Sequence, residues 1–488
     1  QRCCHFGARL DTLCCGSIQP EIMTKKLAAL VLAAGQGKRM HSDVPKVLHT
    51  CAGIPLVAHA VRVALARACD PVVVVVGPDS EGVREALGAM FPEAPLVFAV
   101  QEVPRGTGDA VRAGLAQLGD FHGRLAILCG DVPLLRAETL AELQTAAEQA
   151  PAVVLSAEVA NPAGYGRIVR EQGRVLRIVE EKDASDSVRA IHEVNAGTYV
   201  FDVALLREGV AGLDTANAQG ELYLTDVVEH AAATAAAHAV KVTDPAEVRG
   251  VNTRAELADA EKLLRKRLVS AHQRNGVTFR DPDTVVLDAD VQIGRDSVIG
   301  PGVQLYGATE VGAHVHIEGP AVLRQTRVGA SASVKAFSHL EHADVGDGCT
   351  VGPFARLRED TVLESAAKVG NFVELKKTRL ATGAKASHLA YLGDAELGPE
   401  TNVGAGTITC NYDGGPVKHA TKTGEAAFIG SNSTLVAPVE IGDGAYVAAG
   451  STITQDVPKD ALAFGRSRQT NREGYAARLR ARIKSGSS

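Results

Sequence analysis

The chain of 488 residues contains no tryptophan, and aromatic residues make up only 4% of it. An architecture built on many aromatic anchors is therefore not expected. No apolar run approaches the length of about 20 residues that a membrane-spanning helix needs, and the longest β-branched run, Val72 to Val76, has the length of a strand. The net charge is −6, so the chain lacks the basic excess that is typical of nucleic-acid-binding proteins.

The nine cysteines are distributed unevenly, and four of them crowd the first fifteen residues: Cys3, Cys4, Cys14 and Cys15. That segment has no apolar signal-peptide core, and Met23, followed closely by two lysines, resembles a natural start. We therefore predict that residues 1–22 are a disordered or artefactual extension and not a metal clip. The other five cysteines are scattered, as expected for reduced thiols in a cytoplasmic protein.

Short apolar runs alternate with helix-like stretches from Leu27 to about Val251. The runs are bounded by glycine, proline or aspartate, and they are Leu27–Ala33, Val72–Val76, Leu96–Val100, Leu125–Leu128 and Val153–Ala157. Ile54–Ala68 and Gly108–Leu118 are typical of the helices between them. This alternation predicts a Rossmann-like α/β domain at residues 23–252 with a mainly parallel sheet. Ligands of such sheets bind at the carboxyl ends of the strands.

Residues 253–275 predict a linker helix, because Leu257, Leu264 and Leu268 fall on one helical face and Asn275 and Gly276 form a stop signal. A different pattern fills residues 276–488, where an aliphatic residue followed by glycine recurs at positions 293, 299, 311, 328, 345, 351, 369, 397, 403, 429 and 441. Several of these are six residues apart, which predicts a left-handed parallel β-helix. We expect each aliphatic residue to point inward and each glycine to permit a tight corner.

Two stretches, residues 371–396 and 405–428, break this period and carry histidine, lysine, asparagine and tyrosine. Long insertions in a solenoid usually lie together on one face and form its site. We therefore expect these two stretches to be insertions that hold a second site.

Small-residue loops follow three of the predicted strands: Leu32–Met40 with Asp43–Lys46, Gln101–Asp109, and Leu128–Pro133. Their glycines let a backbone approach phosphate closely, and Arg39 and Lys46 add positive charge. A lone glycine-rich loop is a weak signal, and this one is neither a dinucleotide fingerprint nor a Walker loop. Asp131, at a strand end, is suited to a hard cation such as Mg²⁺, although a structural cap is the plainer reading.

Together with the segments 164–168, 178–183, 195–197 and 250–254, these loops resemble the sugar-1-phosphate nucleotidyltransferases. They are most similar to the N-acetylglucosamine-1-phosphate uridyltransferase half of the bifunctional bacterial enzymes. The resemblance implies that Arg39 and Lys46 act on the triphosphate and that Asp131 and Asn252 hold Mg²⁺. The residues implied to bind UTP or the UDP-sugar are Leu32, Ala33, Gly35, Lys46, Gln101, Gly106, Thr107, Gly166, Glu180, Asn195 and Asn252. Lys38 and Cys129 depart from the family pattern, and Cys129 is expected to loosen packing near the sugar.

The segments 387–396 and 402–414 contain His388 and resemble the glucosamine-1-phosphate acetyltransferase half of the same family. The resemblance makes His388 the general base for the attacking amine. It assigns glucosamine phosphate to Arg358, Lys376, Tyr391 and Asn402, with Lys418 less directly because one residue is inserted before it. It assigns acetyl-CoA to Asn411, Tyr412, Ser431, Ala449 and Arg466. Cys410 is expected to be passive, because a direct transfer needs no acyl-enzyme.

The resemblance thus implies a homotrimeric enzyme that makes UDP-N-acetylglucosamine, a cell-wall precursor, with Mg²⁺ as cofactor and acetyl-CoA and UTP as co-substrates. The scattered thiols predict a cytoplasmic location. Neither a nucleic-acid partner nor a membrane span is expected, and the basic tail from Arg478 to Lys484 predicts a solvated helix or a trimer contact. One alternative is a nucleotidyltransferase for another sugar 1-phosphate with a regulatory β-helix. A non-catalytic binding or assembly subunit is the other.

Overall fold

The structure is a computed structural model that describes residues 26–35 and 37–486. The extension predicted at residues 1–22, with its four cysteines, lies outside the described residues. The chain divides into two compact units. The first comprises the described residues up to Leu48 together with Leu56–Gly250, and the second comprises His49–Pro55 and the chain from Val251 onward. No helix in the described ranges is long and apolar enough to cross a membrane.

A nine-stranded sheet forms the centre of the first unit. In chain order its strands are β1 Leu27–Leu32, β2 Val72–Val76, β3 Leu96–Val100, β4 Arg124–Cys129, β5 Ala152–Glu158, β6 Arg167–Glu171, β7 Arg174–Val179, β8 Glu193–Asp202 and β9 Ala237–Lys241. The spatial order is β9-β5-β8-β4-β1-β2-β3, with the β6–β7 hairpin attached to β8. Only β8 runs against its neighbours along this order, so the predicted mainly parallel sheet is confirmed.

Helices cover this sheet, and the inner residues of β1, β2 and β4 are apolar and buried, as expected for strands that are covered on both faces. The α-helices are α1 Leu56–Ala66, α2 Glu81–Met90, α3 Thr107–Ala116, α4 Ala137–Ala146, α5 Asp186–Arg189, α6 Val203–Ala211 and α7 Thr225–Thr234, with 3-10 turns at Lys38–Met40, Lys46–Leu48 and Pro245–Val248. Because β4, β1, β2 and β3 are parallel neighbours, the loops that follow β1, β3 and β4 reach one edge of the sheet.

The second unit begins with a small hairpin, Thr50–Cys51 with Ile54–Pro55, and the long helix α8, Arg254–Arg274. A capping box starts α8, since the Thr253 hydroxyl accepts from the Glu256 N–H and the Glu256 carboxylate accepts from the Thr253 N–H. A short basic helix, α9 Tyr475–Lys484, ends the described chain, and none of its residues is buried.

Between these helices the chain forms the predicted left-handed parallel β-helix. One face is an 11-stranded sheet: Thr278–Phe279, Val298–Ile299, His316–Ile317, Ser333–Val334, Thr350–Val351, Lys368–Asn371, Lys385–His388, Asn402–Val403, Phe428–Ile429, Tyr446–Val447 and Leu462–Ala463. The other two faces join as a 17-stranded sheet: Val286–Leu287, Gln292–Ile293, Val303–Tyr306, Glu310–Val311, Ala321–Arg324, Arg327–Val328, His339–Glu341, Ala343–Val345, Arg356–Leu357, Thr361–Leu363, Glu374–Leu380, Tyr391–Leu397, Ile408–Cys410, Thr421–Thr423, Thr434–Val436, Val439–Ile441 and Thr452–Ile453.

The aliphatic residues of the repeated dipeptides all point into the solenoid and are buried. The prediction that the glycines of these dipeptides permit tight corners is wrong for all of them except Gly352, because only Gly352 among them has a positive φ. They are required instead by close approach of the next coil. A Cβ built on Gly300 would lie 2.5 Å from the Gly319 nitrogen, and one built on Gly430 would lie 2.5 Å from the Ala449 nitrogen.

The prediction that residues 371–396 form an insertion is also wrong. Ala386 pairs with Val369 on one side and Val403 on the other, so these residues build regular coils of 17 residues. The period was hidden because Ala386 and Ser387 replace the aliphatic–glycine pair. The second stretch does hold an insertion, since the next coil, from Val403 to its partner Ile429, takes 26 residues.

Replacing Gly300 by alanine tests the close-approach explanation. The added methyl group would press on the backbone of the next coil, and overpacking of this kind costs about 1–3 kcal/mol. We expect Gly300→Ala to lower the thermal unfolding midpoint. The matched control is Gly88→Ala in helix α2, where a Cβ meets nothing within 4 Å and alanine favours the helix. Equal midpoints for Gly300→Ala and the parent protein would contradict the explanation.

Candidate active sites

A cavity of about 300 Å³ opens at the carboxyl edge of the first unit's sheet. Eight residues predicted to bind nucleotide or metal line it: Leu32, Ala33, Gly35, Lys46, Gln101, Gly106, Thr107 and Asp131. A neighbouring cavity of about 330 Å³ shares Ala33, Gly35 and Gln101 with the first. The two cavities therefore adjoin, and small residues such as Ala33 and Gly35 line both of them.

Lys46 and Asp131 form an ion pair in this cavity. The lysine is buried, whereas the aspartate side chain keeps 24% of its surface exposed. Gly37, with φ +59, makes room for the lysine, since a Cβ there would strike the Lys46 Cβ. The glycine-rich loop therefore serves to pack Lys46 against the strand end that carries Asp131.

The loop before helix α3 is fixed by a neighbouring segment of backbone. Gly108 donates to the Leu222 carbonyl at 2.8 Å, and Leu222 donates to the Arg105 carbonyl at 2.7 Å. The Thr107 hydroxyl accepts from the Leu224 N–H at 3.2 Å. Gly106 has φ +109, and a Cβ on it would lie 2.6 Å from the Leu222 oxygen. Only glycine fits this position, so the loop presents its backbone to the cavity in one fixed arrangement.

Gly166, Glu180 and Asn195, which the resemblance assigns to the sugar part of the UDP-sugar, lie together. Asn195 donates its backbone N–H to the Gly166 carbonyl at 2.8 Å, and a Cβ on Gly166 would lie 3.4 Å from the Glu180 carboxylate. Burial raises the pKa of Glu180, while a hydrogen bond of 3.2 Å from the Thr225 hydroxyl opposes that rise. A carboxylate in this setting can accept a hydrogen bond from a sugar hydroxyl or amide.

Cys129 links these residues to the cavity, which it also lines. Its thiol donates to the Gly197 carbonyl at 3.3 Å, and burial raises its pKa to about 12. A Cβ on Gly197 would lie only 3.1 Å from the Cys129 sulfur. The Cys129 sulfur thus lies close to the Gly197 backbone, and the loosening of packing expected near the sugar stays a prediction.

Three further residues singled out from the sequence are not among those that line the two cavities. Arg39 and Lys38 are exposed on a 3-10 turn, and neither lines the two cavities. Asn252 belongs to the second unit, where its backbone N–H donates to Glu256 at 2.7 Å.

Within residues 26–35 and 37–486, no group of three or more histidine, cysteine, aspartate or glutamate residues could hold a metal ion. The expected magnesium site is therefore not a cage made by such side chains. The single partly exposed carboxylate of Asp131 still fits Mg²⁺, which keeps several waters and binds through one or two carboxylates together with substrate phosphates.

His388 ends the strand Lys385–His388 on the 11-stranded face and is exposed. Its Cα pairs with that of Asn371 on the preceding coil. The Asn371 side-chain oxygen is buried and has no hydrogen-bond partner in the described part of the chain. The sequence interpretation missed Asn371, although the coil length of 17 residues could have indicated it.

The cationic residues predicted to bind sugar phosphate are paired with carboxylates. Arg358 lies 3.1 Å from Glu374, and Lys376 lies 3.1 Å from Glu359. These acidic partners were not predicted from the sequence, although Glu374 lies within residues 371–396 and Glu359 directly follows Arg358. Their charges hold the cations in place and would have to be displaced or accommodated when a phosphate binds.

Tyr391, on the 17-stranded sheet, lies near Asn411, which directly follows the strand Ile408–Cys410. A Cβ on Gly393 would lie 2.6 Å from the Tyr391 hydroxyl and 2.7 Å from the Asn411 amide nitrogen. Asn411 donates in addition to Asp394. Asn402 is placed apart from this group, because its strand belongs to the 11-stranded face.

The remaining predicted acetyl-CoA residues follow one corner of the solenoid. Gly450 donates to the Ser431 carbonyl at 2.8 Å, which places Ser431 and Ala449 on consecutive coils. A Cβ on Gly450 would lie 3.8 Å from the Arg466 Cδ, so Arg466 lies next to the corner that carries Ser431 and Ala449. The same corner carries Leu389, directly after His388. Tyr412 projects from the insertion with 62% of its surface exposed, and the Lys418 ammonium lies 6.0 Å from its ring centre.

Comparisons with known sequences identify both halves as transferase domains. Residues 29–194 match the MobA-like NTP transferase domain, and residues 420–455 match the bacterial transferase hexapeptide (six repeats). Residues 282–389 match the GMPPB C-terminal domain. The fold and the two sites thus define a nucleotidyltransferase joined to a hexapeptide-repeat transferase.

Three curated relatives named Bifunctional protein GlmU cover nearly the whole chain. The protein from Sorangium cellulosum is 48% identical over 94% of this chain and 98% of its own length. The protein from Anaeromyxobacter dehalogenans (strain 2CP-1) is 51% identical over 93% of both chains, and that from Geobacter sulfurreducens is 45% identical over 93% of this chain and 99% of its own. The chain belongs to this family.

Family membership confirms the predicted activity: the chain is a bifunctional enzyme of UDP-N-acetylglucosamine synthesis, with acetyltransferase and uridyltransferase activities. Nothing in the comparisons favours a regulatory β-helix or a non-catalytic subunit.

Proposed function

We propose that the second unit first acetylates glucosamine 1-phosphate from acetyl-CoA, and that the first unit then transfers uridylyl from UTP to the product and releases pyrophosphate. The observation that carries the proposal is a pair of chemically distinct sites. One is a cavity with the Lys46–Asp131 pair, and the other is a solenoid corner with the exposed His388.

Uridylyl transfer needs no protein nucleophile. A phosphate oxygen of the sugar phosphate attacks the α-phosphorus of UTP in line, the bond to the β-phosphate oxygen breaks, and pyrophosphate leaves. Lys46 neutralises charge on the phosphates, and the loop at Gly106 and Thr107 positions the nucleotide. Mg²⁺ held by Asp131 would supply further charge neutralisation. The roles of Arg39 and Asn252 stay predictions from the resemblance.

Acetyl transfer in our proposal uses His388 as a general base. The amine of glucosamine 1-phosphate attacks the thioester carbonyl, His388 takes the amine proton, and the C–S bond breaks to release CoA, whose thiolate is then protonated. Arg358, Lys376 and Tyr391 bind the sugar phosphate, while Ser431, Ala449 and Arg466 line the path of acetyl-CoA. Cys410 takes no covalent part.

The proposal includes a cytoplasmic location and a homotrimer. The first is supported by the thiols of the described cysteines Cys51, Cys69, Cys129, Cys349 and Cys410, which form no disulfides. The second is supported by a ladder of exposed side chains along the corner that ends at Leu389. The ring centres of Phe337 and Phe354 are 4.8 Å apart, and those of Phe354 and Phe372 are 5.3 Å apart. A contiguous apolar stripe of this kind is suited to burial against other copies of the chain.

Asp131→Ala tests whether the two activities belong to two separate sites. The change removes the cavity's metal-binding carboxylate and leaves Lys46 without that partner, so we expect uridylyl transfer to be abolished and acetyl transfer to persist. Pyrophosphate release and CoA release, measured separately, check this. Asp120→Ala, an exposed aspartate of the same unit, should retain both activities. Loss of both activities in a folded Asp131→Ala protein would contradict the proposal that the chain has two separate active sites.

His388→Ala tests the second site. Loss of a general base typically costs about 10²–10⁴-fold in rate, so we expect CoA release to fall by that factor while uridylyl transfer is unchanged. His316→Ala is the matched control, because His316 is exposed on the same 11-stranded face. Near-parental acetylation by His388→Ala would remove this histidine from the mechanism.

Phe354→Asp tests the trimer. Phe354 has φ +54 and is 46% exposed, and aspartate tolerates a left-handed backbone, so the coil should persist while the apolar ladder is interrupted. We expect the mass from light scattering to fall to that of the monomer and acetyl transfer to decline. The control, Val362→Asp, changes a residue 37% exposed on the 17-stranded sheet. An undiminished mass for Phe354→Asp would exclude this corner as the interface.

A further inference from the structure

The Gln101 side chain lies between the two cavities of the first unit and is held in one orientation. It is only 6% exposed and lines both cavities. Its amide nitrogen donates to the Gly106 carbonyl at 3.1 Å and to the Asp109 carboxylate at 3.0 Å. Both hydrogens of the amide are therefore committed to the loop that precedes and begins helix α3.

The nature of the two partners fixes which way the amide faces. A backbone carbonyl and a carboxylate are both acceptors, so turning the amide over would set its oxygen against two other oxygens. No residue of the described ranges donates to the Gln101 Oε1. This oxygen is thus the polar atom that the side chain offers to a ligand.

An acceptor in this position distinguishes pyrimidines. Uracil carries an N–H at N3 and can donate to Oε1, whereas the unprotonated N3 of cytosine is an acceptor and would meet Oε1 as a second acceptor. Sites that hydrogen-bond one partner reject an analogue that leaves a polar group unpaired. The discrimination depends on the amide being unable to turn, and the strongest acceptor that prevents the turn is the Asp109 carboxylate.

We propose that Asp109 is a positioning residue that locks the Gln101 amide with its oxygen toward the nucleotide and thereby selects UTP over CTP. The inference rests on the uridylyl transfer proposed above. Asp109 itself lies in the first turn of helix α3, where an acidic residue also stabilises the helix N-terminus, so a purely structural role must be tested separately.

The experiment compares Asp109→Leu, Asp109→Asn and Glu138→Leu in the full chain, with N-acetylglucosamine 1-phosphate and either UTP or CTP. Glu138 is the matched control, because it is an exposed acidic residue in the first turn of helix α4 and is not among the residues that line the two cavities. Steady-state kinetics give kcat and KM for each nucleotide, and from these the preference for UTP over CTP. Where turnover is slow, calorimetric Kd values for the two nucleotides give this preference instead.

In Asp109→Leu only the Gly106 carbonyl still holds the Gln101 amide, so the amide turns over more readily. We therefore expect KM for UTP to rise about tenfold, kcat to stay within about twofold, and the preference for UTP over CTP to fall about tenfold, the effect of one hydrogen bond. Asp109→Asn should restore the preference, because its side-chain oxygen still accepts from Gln101. Glu138→Leu should match the parent.

A UTP preference that is unchanged in Asp109→Leu, by kinetics or by Kd, overturns the inference even if kcat falls, since that is the result a structural role gives. A loss of preference shared equally by Glu138→Leu overturns it as well. Failure of the proposed function is distinguishable, because then the parent protein itself would release no pyrophosphate from UTP while acetyl transfer on the same sample reports that the chain is folded.

Discussion

Parallel pairing of strands is the constraint on which both sites depend. In the first unit it brings the ends of β1, β3 and β4 to one edge, so that Lys46, Gln101 and Asp131 share a cavity although 85 residues separate the lysine from the aspartate. In the second unit it stacks each coil on the one before, so that residues one coil apart become neighbours. The chemistry of each unit follows from where its parallel strands end and its corners turn.

The solenoid shows how strict this constraint is. A β-helix leaves almost no space between the backbones of adjacent coils, and glycine stands where that space is smallest. A left-handed backbone is supplied at other positions, among them Phe337, Phe354 and Phe372. Because these corners project their side chains outward, the coil geometry exposes a stack of rings that an isolated globular domain would bury. Local backbone geometry therefore leads directly to a surface suited to self-association.

Much of the fold could be predicted because apolar runs and the aliphatic–glycine period report directly on burial. The glycine interpretation was wrong because sequence shows that a side chain is absent but not what occupies its place. Residues 371–396 were misjudged for a related reason: Ala386 fills an aliphatic position and Ser387 a glycine position, and both fit sterically without matching the pattern. Asn371 and Asp109 could not be assigned from single motifs, since their significance lies in what they face.

Site residues differ in the same way in how far the sequence alone predicts them. Residues that contribute backbone, such as Gly106, are recognisable because only glycine fits. Residues that act through partners are harder to predict from the sequence. Arg358 and Lys376 were identified as cations. Their position and charge environment, however, depend on Glu374 and Glu359. Each cation pairs with a carboxylate and remains partly exposed to water. A phosphate that binds there meets a positive charge whose side chain is already ordered, so binding loses less side-chain conformational entropy. Pairing within the protein is thus what makes these cations available in a defined place, and a sequence read one motif at a time does not contain that information.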